Sequence, residues 1–204
     1  ISAYSADASG AFYLLEGRFL HSQVETPYGP QRVNDGGAWR FDPKNFSLER
    51  TIQSDVNNPW GIAFDAYGQD FFADTSDPNL RWMSPATLRV PFGEFAPLPP
   101  NLVPKAQMVR PTAGLEFVSS RHFPEDWQGM FLNTNVITYQ GIFRAKLSPG
   151  SEKTKDASGI RGETLEPGLV KADNTKAGNF RPSGVAVAPD GSLYVMDWSQ
   201  MLIG

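Results

Sequence analysis

One phrase, met four times, constrains this chain more than any other feature. A small residue with glycine leads into three to five alternating apolar residues, a turn, and a second short aromatic run. It reads AYSADASGAFYLLEG at 3–17, GIAFDAYGQDFFADTS at 61–76, GLEFVSSRHFPEDWQGMFLNTN at 114–135 and GVAVAPDGSLYVMDWS at 184–199. Alternation of period two with Ser9-Gly10, Tyr67-Gly68, Gln128-Gly129 or Asp190-Gly191 at the turn predicts a β-hairpin each time. Two further hairpins are expected from GAWRFDPKNFSLERT at 37–51 and GIFRAKLSPGSEKTK at 141–155. Helical periodicity is scarce.

The opening glycines Gly61, Gly114 and Gly184 are unevenly spaced, as in radial sheet repeats with inserted loops. An all-β β-propeller with four-stranded antiparallel blades is the expected class, and a β-sandwich is the alternative. At roughly 40–50 residues per blade, the 204 residues hold three to four blades of a six-bladed ring. The fourth phrase stops before any outer strands, so residues 1–204 are expected to be one partial domain. Another chain, or more of the same chain, would complete it. Residues 78–111 carry eight of the 17 prolines and no clean strand pattern. They are expected to form an inserted loop packed across a face or against a partner through Trp82 and Phe95.

Composition excludes several functions. With 18 Lys+Arg against 22 Asp+Glu, the surface has no general pull on phosphate backbones, so nucleic acid is not expected as a partner. No apolar run approaches the roughly 18 residues that span a bilayer. Zero cysteines remove thiolate nucleophiles, zinc-thiolate sites, Fe–S clusters and covalent haem from this chain, and suit an exported protein. The start has no initiator Met and no leader pattern.

Propeller geometry places the connections into each first strand, and between second and third strands, on the face where sites usually lie. That face receives His21, Gln23, Glu25, Asn58, Trp60, Asp74, Asp77, Arg110, Asn133, Asn135, Arg181 and Asp197. His21 with Glu25 suits a general base and its orienter or, more blandly, a hydrogen-bonded structural histidine. Asp197 is a ligand group or a cap on a strand end. Arg121 and His122 fall on the opposite face, in a binding loop or a turn locked by Pro124. No metal site is expected, because the aspartates form no calcium loop. No GxSxG, phosphate loop or HExxH is present.

Several longer phrases resemble one family. They are FLHSQVETPYGP (19–30), NPWGIAFDAYGQDFFAD (58–74), SSRHFPEDWQGMFLNTNVITYQGIFRAKL (119–147) and GETLEPGLVKADNTKAGNFRPSGVAVAPDGSLYVMDWSQMLIG (162–204). They look like the propeller region of the large haem-binding dehydrogenase-like proteins of planctomycetes and verrucomicrobia. Those relate to sorbosone and glucose dehydrogenase propellers that use pyrroloquinoline quinone. The resemblance implies a periplasmic or exported protein and that quinone as cofactor, with haem c only in a missing domain or partner cytochrome. Where family members have a histidine in the NPWG phrase, this chain has Ile62. Two functions follow as expectations. One is a binding or scaffold subunit of an electron-transfer-related assembly, without catalysis of its own. The other is a sugar or aldehyde dehydrogenase, with His21 as base and Arg110 and Arg181 on the cofactor carboxylates.

Overall fold

In the computed structural model, residues 1–77, 79–83, 90–91, 93–103, 110–149, 160–171 and 180–198 are described. They form an all-β fold in which the one helical piece among the described residues is a 3₁₀ turn at Glu125–Trp127. No helix among the described residues is long and apolar enough to cross a membrane.

The first sheet joins β1 (Ala3–Ala6), β2 (Phe12–Glu16), β5 (Gly37–Asp42) and β6 (Ser47–Gln53) in antiparallel order. A separate hairpin of β3 (His21–Val24) and β4 (Gln31–Asn34) is inserted between β2 and β5. The second sheet is β7 (Pro59–Phe64), β8 (Asp70–Asp74) and β9 (Asn79–Trp82). The third joins β10 (Thr112–Phe117), β11 (Phe131–Asn135), β12 (Gly141–Pro149) and β13 (Ile160–Lys171). The fourth is β14 (Pro182–Val187) with β15 (Leu193–Asp197).

The four repeated phrases are the hairpins β1–β2, β7–β8, β10–β11 and β14–β15. Their turn glycines Gly10, Gly68, Gly129 and Gly191 all have positive φ, between 74° and 87°, a conformation that excludes most side chains. Three turns close identically, with Gly10, Gly68 and Gly191 donating their N–H to Asp7, Asp65 and Ala188.

Two expectations need correction. Residues 79–82, assigned to the proline-rich loop, form β9 along the edge of β8, with Leu80 filling the core. Leu102 and Val103 then fold back into that same core. The second strand of the hairpin expected at 141–155 starts only at Ile160. Its glycines and proline hide the alternation that marks the other strands. Residues 150–159 lie outside the described residues.

The sheets stack in chain order, with one apolar layer between each pair. Leu15 and Ala38 meet Ile62 and Phe72 between the first and second sheets. Phe71, Ala73 and Leu80 meet Leu115, Phe117 and Phe131 between the second and third, with Phe71 edge-on to Phe117 at 5.2 Å between ring centroids. Leu132 and Ile142 meet Val185 between the third and fourth. Their first strands β1, β7, β10 and β14 touch in series.

Candidate functional site

The starts of β7, β10 and β14 repeat one local design. Each follows an X-Pro step (Asn58-Pro59, Arg110-Pro111, Arg181-Pro182), and proline offers no N–H to a strand partner. In all three hairpins the register slips beside that proline. The paired second strand ends in Asp74, Asn135 or Asp197, and this side chain takes up nearby backbone donors. Asp74 accepts the N–H groups of Asn57 at 2.9 Å and Ser76 at 3.1 Å, and Asn58 at 3.3 Å. Asn135 Oδ1 accepts Tyr139 N–H at 2.7 Å, and Asp197 Oδ1 accepts Arg181 N–H at 2.7 Å.

Hydroxyls and a guanidinium tie these ends to one another. Thr75 Oγ1 donates to Thr112 C=O at 2.6 Å, and Thr112 Oγ1 donates to Asp74 C=O at 3.0 Å. Arg181 donates to Val136 C=O at 2.7 Å. Thr138 Oγ1 donates to Arg110 C=O at 2.6 Å.

Between these ends opens a cleft of about 590 Å³, spanning three sheets, within the usual range for small-ligand sites. Trp60, Arg110, Ile137 and Trp198 supply its large side chains, and Thr75, Ser76, Thr138 and Ser183 its hydroxyls. Trp60 is held by its indole N–H on Asn58 Oδ1 at 2.7 Å, and Trp198 remains 47% exposed. Two indoles, one exposed guanidinium and a rim of hydroxyls can stack a flat ligand and pair with its negative charge.

Of the residues named from the sequence, Asn58, Trp60 and Arg110 line this cleft. Arg181 donates to the carbonyl of Val136 in its lining, and Asn135 and Asp197 accept backbone donors at the neighbouring strand ends. Asn133 is fully buried, with its amide donating to Gly114 C=O at 3.1 Å and its Oδ1 unpaired. His21 and Glu25 sit elsewhere, on the exposed side of the β3–β4 hairpin. The His21 ring bonds the Asn34 side chain, and Glu25 accepts from Gln23 at 2.7 Å. Neither lines the cleft. Trp82 packs against the core between the second and third sheets, with its indole N–H buried and unpaired, whereas Phe95 is exposed. Ile62, where the resembling family has histidine, is buried between the first and second sheets. The cleft hydroxyls had no signal in the sequence, since isolated Ser and Thr after strand ends are common in any β-protein.

On the opposite face, Ser120 Oγ donates to Gly191 C=O at 2.6 Å and accepts His122 N–H at 3.1 Å. Phe123 stacks on Trp127 at 6.0 Å, and Arg144 lies over the Trp127 ring at 4.4 Å. The SRHFPEDW segment thus ties the third sheet to the fourth. Among the described residues, no three His, Asp or Glu side chains gather as metal ligands.

No protein-family model matches the chain, and no curated protein matches it. Among solved structures, one described as a presumed gluconolactonase is similar over 96% of this chain, at 15% identity and a TM-score of 0.49. The match takes in 55% of that protein, so this chain spans about half its length. The site described above stands on the chain's own geometry.

Proposed function

We propose that this chain is a partial β-propeller that acts as a ligand-binding and scaffold module in an exported, electron-transfer-related assembly. The propeller reading is supported by four hairpins whose first strands touch in series and whose sheets stack in chain order. The cleft between Trp60, Arg110 and Trp198 carries the binding reading. Its ligand class is a flat, negatively charged molecule, held by indole stacking and by the guanidinium.

Pyrroloquinoline quinone, the cofactor implied by the family resemblance, has that chemistry. Arg110 would take a carboxylate and the two indoles the ring plane; bound there, the quinone would supply two-electron oxidation of an alcohol or aldehyde. That is the second reading, a sugar or aldehyde dehydrogenase with haem c on a partner cytochrome. It needs a base beside the quinone, and His21, its candidate, does not line the cleft.

Titration of intrinsic tryptophan fluorescence with pyrroloquinoline quinone tests the binding reading. Saturable quenching, shifted to higher quinone concentration in Arg110→Ala, is the expected result. No quenching at any quinone concentration would remove it. Dye reduction by the quinone-loaded protein with sugars or aldehydes would move the assignment to the dehydrogenase.

A further inference from the structure

The third hairpin departs from the pattern of the other three. Gly10, Gly68 and Gly191 close tight turns on Asp7, Asp65 and Ala188, whereas β10 ends at Phe117 and β11 starts only at Phe131. Val118 N–H donates to Met130 C=O at 2.8 Å and closes the base of this longer loop. A tight turn would join the two strands equally well, so pairing within the sheet does not explain the added residues.

The loop is braced from within. The Gln128 amide donates to the carbonyls of Ser120 at 2.9 Å and Phe123 at 3.1 Å. Buried Ser120 fixes the loop to the neighbouring turn through Gly191 C=O. A Cβ on Gly191 would lie 3.3 Å from the His122 ring, so the imidazole rests directly against that turn.

Ser120, Gln128 and the stacked Phe123 and Trp127 account for the tie between the third and fourth sheets. They leave over Ser119, Arg121 and His122, all exposed. Among the described residues, these three side chains make no hydrogen bond or ion pair. They border a cavity of about 490 Å³ between residues 119–122 and 187–191, large enough for a small ligand. Its far wall carries Asp190, whose Oδ1 accepts Ser192 N–H at 2.9 Å. Both walls are turns of adjoining sheets within the stack.

We infer that this cavity is a second ligand site, for a small carboxylic acid with a hydroxyl or amino group beside its carboxylate. The Arg121 guanidinium pairs with the ligand carboxylate through its planar fork, and a His122 ring N–H or the Ser119 hydroxyl adds a donor. The Asp190 carboxylate accepts from the adjacent hydroxyl or ammonium and repels an acid that lacks one. The site lies on the face opposite the Trp60 cleft and goes beyond the proposed function, on which it does not depend.

Amide chemical shifts at 119–122 and 187–191, followed by NMR during titration with glycolate, glycine and acetate, test this. Saturable shifts are expected with glycolate or glycine, and binding about tenfold weaker with acetate. The tighter of the first two identifies the donor as hydroxyl or ammonium. Arg121→Ala is expected to weaken binding by about tenfold or more. Asp190→Asn, which keeps an acceptor for Ser192, is expected to bring glycolate and glycine down to the level of acetate. No saturable shift with any of the three acids would overturn the inference. So would acetate bound as tightly as the others, or an Arg121→Ala protein that binds unchanged. Quenching by the quinone reads the opposite face, so the two sites stand or fall separately.

Discussion

Gly114 and Gly184 meet where the third sheet packs on the fourth, so closely that a Cβ on Gly114 would lie 2.7 Å from the Gly184 Cα. Nothing at that contact is a flexible side-chain end that could move aside. Gly114→Ala is therefore expected to destabilise the protein by about 1–3 kcal/mol through overpacking. Gly10→Ala meets open space and pays only for its positive φ, about 1 kcal/mol. Chemical denaturation of both variants checks the order, and equal midpoints would contradict this account of the repeated glycine.

Asp74 gathers the backbone donors of Asn57, Asn58 and Ser76 while almost fully buried. Asp74→Ala would leave these donors without their carboxylate, at a cost of about 3 kcal/mol. Asp74→Asn keeps one acceptor oxygen and should lose less. A melting temperature lowered in the order Ala, then Asn, checks this; identical melts would mean that water replaces the carboxylate.

Burial pushes the Asp70 carboxyl up to about 6 from an ordinary 3.8, against the pull of the Gln69 amide on the ionised form. Between those values the folded state holds more protons than the unfolded one. Stability contributed by this group is thus present at low pH and lost as pH rises from about 4 through 6. The loss is about 3 kcal/mol at neutral pH, as an order of magnitude. Asp70→Asn is expected to raise stability at pH 7 and to flatten its dependence between pH 4 and 6. Denaturation midpoints that change alike with pH in wild type and variant would refute it.

In the cleft, Arg110→Ala should weaken quinone binding by about tenfold to a hundredfold, the loss expected for a charged hydrogen bond. Trp60→Ala should weaken it by a smaller factor and remove part of the fluorescence quenching. His21→Ala should leave affinity unchanged, since that ring is bonded to Asn34 on a separate hairpin. Calorimetric titration of all three variants distinguishes these outcomes, and a strong effect of His21→Ala would relocate the site.

The local grammar was legible because its causes are local. Gly10, Gly68, Gly129 and Gly191 were readable as turns since a left-handed backbone position selects glycine wherever it occurs. Arg110, Asn58 and Trp60 could be placed on one face because strand alternation and hairpin connectivity decide which strand ends share a side. His21 and Glu25 met the same rule and still missed the cleft, because the inserted β3–β4 hairpin carries them away from the strand ends. Trp82 read as a contact residue among prolines. Its strand was hidden because four residues, Asn79 to Trp82, are too few to show a period without the neighbouring β8.

The sequence by itself determined the hairpins and their turns, since each depends on residues a few positions apart. Only the tertiary structure decided that Gly114 touches Gly184, that Ile62 lies buried between two sheets, and that Trp60, Arg110 and Trp198 border one cleft. Those relationships join residues far apart in the chain. They follow from how the twisted sheets bury one another's apolar faces, a choice made by the whole set of contacts and by no single segment.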